Sequence, residues 1–194
     1  MALLKTSASA RTRLGWKSYC SYLVMSASLL LSEIDLRAQA APSAEYQVKA
    51  VFLFNFAQFV LWPPKAFPGP DTPLVIGVLG EDPFGSYLDE TVHDEKVNNR
   101  PLVLQRYRRV NEIKVCHVLY ISRSETDRIG QILAALKGRP TLTVSDADDF
   151  LGRGGMIRLV TERNKIRIRI NLGVVKAANL TISSKLLRVA ETEP

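Results

Sequence analysis

Cysteine and histidine are nearly missing from this sequence: Cys20, Cys116, His93 and His117 are all that its 194 residues contain. Four such residues at those spacings cannot assemble a zinc cluster. The chain also lacks a phosphate-binding Walker loop, a G-x-S-x-G nucleophile elbow and an H-E-x-x-H helix. Catalysis is therefore not the first reading, and no catalytic residue, metal or cofactor is assigned. Acidic residues are fewer than basic ones, 19 against 26, but the imbalance is uneven. Residues 1–40 hold Lys5, Arg11, Arg13, Lys17 and Arg37 against Glu33 and Asp35, a net of +3, and the rest of the chain carries only +4. Much of the basic character belongs to the N-terminal segment, so nucleic acid is not an expected partner.

What is present is a globular composition, 46% hydrophobic and 23% charged, at a length that suits one domain with a good-sized core. The first forty residues read as an address. Met1–Lys17 is basic and free of acids, Tyr19–Leu31 is an uncharged stretch rich in leucine, and Ala38-Gln39-Ala40 supplies small residues for cleavage. That order is the one of a secretory signal peptide, residues 1–40, and the uncharged stretch is short for a spanning helix. Residues 41–194 are then the mature domain. Export leaves Cys116 as its single cysteine, unpaired within the chain, and its place in the apolar run Cys116–Ile121 favours burial over pairing between chains.

A helix is expected from Ser43 to about Trp62, with Ser43 as cap, Glu45–Lys49 as an i,i+4 pair, and Pro63-Pro64 as its stop. Val51, Phe54 and Trp62 fall in the same sector as the polar Gln47, Asn55 and Gln58. Either later elements cover both sides of this helix, or that sector is a self-association or partner face. Leu74–Leu79 reads as a strand buried on both faces, and Asp82-Pro83 opens a short helix from Phe84 to about Val92. Strands are expected at Leu102–Tyr107, Cys116–Ile121 and Thr141–Val144, and a helix capped by Ser124 at Glu125–Leu136. Met156–Glu162 and Lys165–Ile170 flank Arg163-Asn164 as a hairpin, and Leu172–Asn179 and Ser183–Ala190 read as two closing helices. The alternation gives an α/β fold: one three-layer domain, a mostly parallel sheet with a C-terminal antiparallel hairpin, and helices on both faces.

A two-residue turn at 163–164 sets Arg158 opposite Arg169 and Val160 opposite Arg167, with the isoleucines on the other side of the ribbon. Opposed like charges repel unless water, an anion or an acidic surface lies between them. The arginine side is thus either a solvated edge face or a docking surface for an acidic partner or anionic ligand. Asp146, Asp148 and Asp149 in a glycine-containing loop lack the remaining ligands of a calcium loop. Gly80 and Gly85 give only a weak phosphate signal. His117, inside an apolar run, reads as a satisfied structural histidine.

Several segments in register resemble one family. They are Glu45–Ala57 ending in Trp62-Pro63, Val78–Gly85, Cys116–Ser122, Thr143–Asp146, Gly154–Ile157, Ile170–Leu172 and Ile182–Arg188. In that order they resemble the YfiR/HmsC-like family of exported bacterial proteins, over about residues 45–190. The resemblance implies a periplasmic α/β protein, often dimeric, without known catalytic activity. It implies repression of an inner-membrane diguanylate cyclase through contact with that enzyme's periplasmic region, which lowers cyclic di-GMP, exopolysaccharide and biofilm. It further implies an outer-membrane lipoprotein that relieves repression. Gly77 stands where the family cysteine that pairs with the one at Cys116 is expected, and a second pair is missing, so redox gating is not expected here. Arg169 stands where relatives carry an acidic residue. The site residues expected on these grounds are Arg158, Arg167 and Arg169 for the partner, and Val51, Phe54 and Trp62 for self-association. The rival reading is a periplasmic binder of a small ligand or cell-wall fragment.

Overall fold

The structure is a computed structural model that describes residues 43–193; the expected leader and Cys20 lie outside the described residues. In chain order the elements are α1 (Ala44–Phe59), β1 (Val60–Leu61), β2 (Leu74–Leu79), α2 (Ser86–Val92), β3 (Lys96–Val97) and β4 (Arg100–Tyr107). Then follow β5 (Val118–Ile121), α3 (Ile129–Leu136), β6 (Leu142–Ser145), β7 (Ile157–Glu162), β8 (Lys165–Asn171), α4 (Leu172–Ala177), β9 (Thr181–Ile182), α5 (Ser184–Leu187) and β10 (Ala190–Glu193). Eight strands form one sheet in the order β10-β8-β7-β6-β5-β2-β4-β3, and β1 pairs with β9 separately. The strands β4, β2, β5, β6 and β7 are mutually parallel, β8 returns antiparallel, and β10 runs parallel to β8. This is the mostly parallel α/β sheet that the alternation of elements predicts.

The continuous apolar run Leu74–Leu79 becomes an interior strand of the sheet, between β5 and β4, buried at every position because helices cover both sides. On one side Ile76, Val78, Val118, Tyr120, Val144, Ile157, Leu159, Ile168 and Ile170 pack under α1 and α2 through Leu53, Phe56, Leu88 and Val92. On the other, Val75, Leu79, Leu119 and Ile121 pack under α3 through Ile129, Ile132 and Leu136. No residue of β7 or β8 joins this second cluster. Each fully buried aliphatic or aromatic side chain in these layers contributes about 1.5–3 kcal/mol relative to exposure.

The β7–β8 register is the one read from the sequence, Arg158↔Arg169 and Val160↔Arg167. Arg163 and Asn164 both adopt positive φ, 48° and 61°, as a two-residue turn matched to the strand twist requires. Other boundaries differ. The first helix ends at Phe59, and Val60–Leu61 turn into β1 because Ile182 and Thr181 offer a strand partner. Ser43 makes no side-chain cap. Asp82 accepts from the Phe84 amide at 2.7 Å and shapes the turn, while the helix itself starts at Ser86. Asn98 and Asn99, both at positive φ, form a hairpin that extends β4 back to Arg100. The helix expected over Glu125–Leu136 is 3-10 from Arg123 to Arg128, with Ser122 as its cap in place of Ser124. The expected last helix, Ser183–Ala190, lasts four residues before the chain becomes β10, where pairing with the open edge of β8 outweighs helix propensity. The hairpin is consequently not the edge of the sheet.

Candidate functional site

In a sheet of this kind ligands usually enter the crevice beyond the carboxyl ends of the strands, where the strand order switches direction. Here that point lies between β2 and β5, since the chain leaves β2 to build β4 on one side and returns to add β5 on the other. The crevice is filled. Gly80, at φ +93°, lies so close to Ser124 that an added Cβ would stand 2.5 Å from its hydroxyl. That hydroxyl accepts from the Glu81 amide at 2.9 Å and thereby takes a donor a phosphate would use.

Beside it, four side chains converge on Asp146, the residue that follows β6. Lys49 Nζ donates to one carboxylate oxygen at 2.5 Å, Tyr46 Oη to the same oxygen at 3.0 Å, and Tyr120 Oη to the other at 2.7 Å. Arg123 Nε stands 3.3 Å away. Lys49 also donates to Glu45, whose carboxylate accepts from Thr161 at 2.8 Å. Lys49 and Asp146 have no exposed side-chain surface. Burial pushes the Asp146 carboxyl upward, but the hydrogen bonds from Lys49 and Tyr120 outweigh it and hold the group below the usual carboxylate range. Burial raises the Tyr120 and Tyr46 phenols, so both remain donors. Two cations balance two carboxylates with every Asp146 oxygen occupied. The cluster is built to fasten the start of α1 to the ends of β5 and β6, not to hold a proton in transit. The Glu45–Lys49 pair read from the sequence exists, but its larger role went unread. The signal was a lysine centred on the helix's apolar face, flanked by Ala50, Leu53 and Phe56.

His117 occupies the opposite end of β5. Its Nδ1 accepts from the Val75 amide at 3.0 Å, and its Nε2 lies 3.1 Å from the Ala66 carbonyl, which makes it the neutral Nε2–H form. Phe67 stacks on the ring at 4.5 Å, and Trp62 meets it edge-on while donating to the His117 carbonyl at 3.2 Å. This is the satisfied structural histidine expected from its setting.

Among the arginines, Arg158 is engaged by Asp148, and Arg169 by Glu162 at 2.8 Å and Glu191 at 3.3 Å. The acids that separate these opposed charges therefore come from the chain itself. Arg167 is exposed and has no carboxylate partner among the described residues. On α1, Val51 is 40% exposed and neighbours Val48 at 47%, whereas Phe54 and Trp62 are partly buried against the core. The structure thus splits both proposed sets: one member of each is free, and the others have partners within the chain.

A profile of the YfiR/HmsC-like family matches residues 46–191, from the Asp146-binding Tyr46 into the start of β10. The chain belongs to the YfiR/HmsC-like family. Members of this family are periplasmic regulators of diguanylate cyclase signalling, not enzymes. No curated protein matches the chain. Among the described residues no helix is long and apolar enough to cross a membrane.

Gly77 lies where a cysteine could reach Cys116. A Cβ on Gly77 would lie 2.8 Å from Cys116 Sγ, and the thiol, buried and therefore raised in pKa, is inert as it stands. Gly77→Cys should close a disulfide with Cys116 under mild oxidation. Closing a loop of roughly 40 residues stabilises by about 4 kcal/mol in the chain-entropy account. Part of that is offset by displacing the Tyr107 ring, whose edge would be 2.7 Å from the new Cβ. A faster-running band on a non-reducing gel, with a melting temperature several degrees higher that falls on adding dithiothreitol, is the expected result.

Proposed function

We propose that this protein is a periplasmic repressor that binds the periplasmic region of an inner-membrane diguanylate cyclase, lowering cyclic di-GMP and with it exopolysaccharide and biofilm. Family membership across almost the whole described domain carries this reading. The filled crevice and the fully engaged Asp146 cluster favour action through the surface over action on a substrate. The partner surface in this reading is the uncovered side of β7 and β8, with Arg158, Arg167 and Arg169, and the exposed sector of α1 around Val51, with Phe54 and Trp62 beside it, serves a homodimer. An outer-membrane lipoprotein is the candidate antagonist. Deleting the gene should raise cyclic di-GMP and biofilm, and crosslinking from membranes should recover a cyclase. Arg167→Glu should reproduce the deletion phenotype at unchanged protein level, with capture weakened at least about tenfold. Unchanged cyclic di-GMP in the deletion strain would exclude the proposal.

A second reading, a small-ligand binder, has one observation in its favour. A groove of about 580 Å³ runs along the face of β6 that α3 leaves open, lined by Leu133, Ala134, Thr143, Met156, Val174 and Ala177. Calorimetry against amino acids, nucleotides and muropeptides separates the readings, since a repressor acting by protein contact alone gives no heat with any of them.

A further inference from the structure

The tip of the β7–β8 hairpin carries charge that nothing in the described fold neutralises. Arg163, Lys165 and Arg167 are exposed and, with Glu162, line one concavity. The Glu162 carboxylate is already taken by Arg169. A fourth cation, Arg188, and the aliphatic Val189 immediately precede Ala190, which pairs with Ile168 next to Arg167. Val189 is 70% exposed, the most exposed of the large apolar side chains among the described residues. Because β10 runs parallel to β8, Glu191 lies further from the tip and is occupied by Arg169. None of Arg163, Lys165, Arg167 and Arg188 has a carboxylate partner among the described residues.

We propose that this corner, Arg163, Lys165, Arg188 and Val189, docks on an anionic phospholipid surface. The proposal goes beyond the cyclase reading and does not depend on it. A protein interface is anchored by aromatic groups seated in desolvated pockets; this corner offers long cationic side chains and one aliphatic group. A free phosphate needs converging donors held rigidly, whereas these side chains project from an exposed turn. Flexible cations around a protruding valine suit a diffuse negative plane, with headgroups on the charges and the valine against the acyl boundary.

The test is co-sedimentation of the full chain with phosphatidylglycerol–phosphatidylcholine vesicles and with phosphatidylcholine alone, at low and high salt. The N-terminal segment, itself basic, is the same in parent and variants, so its contribution cancels when each variant's ratio of the two affinities is divided by the parent's. R163E/K165E/R188E should lower that ratio by about a hundredfold or more, whereas K96E/K114E/K176E, an equal change of net charge elsewhere, should leave it within about threefold. The emission of V189W less that of the parent, which removes Trp16 and Trp62, should shift to the blue with phosphatidylglycerol vesicles only, and this decides the matter should the triple variant fail to fold. Equal loss in both triple variants overturns the proposal, as does an unshifted tryptophan. Displacement from the vesicles by inorganic phosphate at lipid-equivalent concentration, or by an acidic peptide, would assign the corner to a free anion or a protein instead.

Discussion

Asp146→Ala should cost about 3–5 kcal/mol, the usual consequence of leaving a buried cation without its counter-charge. Lys49 would remain fully enclosed with Glu45 as its only carboxylate, and the Tyr120 hydroxyl would lose its acceptor. Against a total stability of about 5–15 kcal/mol this is a large fraction. For a domain of this size the melting temperature should fall by roughly 10–15 °C. Lys49→Met should cost less, because Asp146 keeps Tyr46, Tyr120 and Arg123. The double variant K49M/D146L should recover most of the loss, to within about 2 kcal/mol of the parent, since apolar groups of similar volume replace the pair. Denaturant unfolding of the parent, K49M, D146L and K49M/D146L gives the coupling energy directly. A double variant as unstable as Asp146→Ala would show that the pair is not the unit that fastens α1 to the sheet.

That cluster marks where the sequence could be read and where it could not. The alternation of apolar runs with short helical segments was enough for the parallel sheet, because period and loop length decide that locally. The hairpin register followed from a two-residue turn, a constraint carried by Arg163-Asn164 alone. Partners for Arg158 and Arg169 were beyond reach. Asp148 lies ten residues before Arg158 in a separate loop, and Glu191 belongs to a strand whose helical propensity concealed it. Strand β10 exists because β8 offers an edge, and an edge is a property of the assembled sheet. Lys49 and Asp146 are 97 residues apart; a lysine on an apolar face announces that a counter-charge is needed without saying which.

The same distinction applies to function. The Gly80 turn resembles an anion site by sequence, and only the Ser124 hydroxyl packed against it shows that the place is occupied. With the sheet crevice closed, the free groups are on the outside: Val48 and Val51 on α1, Arg167 on the ribbon, and the cationic hairpin tip. A family of regulators and a fold whose polar interior is spent on its own fastening both support the proposed action through surface contact.

Acidification should destabilise the fold through His117. Burial, which outweighs the favourable contact with the Ala66 carbonyl, lowers its pKa from about 6.5 to about 4. Protonation would also turn Nδ1 from an acceptor into a donor facing the Val75 N–H. Because the folded value is the lower one, the unfolded chain binds the proton first as pH falls. Stability is therefore complete above about pH 6.5 and declines between 6.5 and 4, by about 3 kcal/mol in all. Below pH 4 the histidine adds no further loss, and protonation of Asp146, whose folded value is depressed in the ordinary carboxylate sense, takes over. The other histidine, His93, is exposed and outside the core. Urea unfolding at a series of pH values should show this slope in the parent. In His117→Gln the slope between pH 6.5 and about 5 should vanish, with a loss at neutral pH of about 1–3 kcal/mol from the imperfectly replaced hydrogen bonds. A parent profile flat from pH 7 to 5, or a variant that keeps the parent's slope, would place the acid sensitivity elsewhere. Since the Ala66 and Phe67 contacts tie the Trp62–Pro73 segment to β5 through this ring, amide protection factors in that segment, measured against intrinsic rates at each pH, should fall first as pH falls.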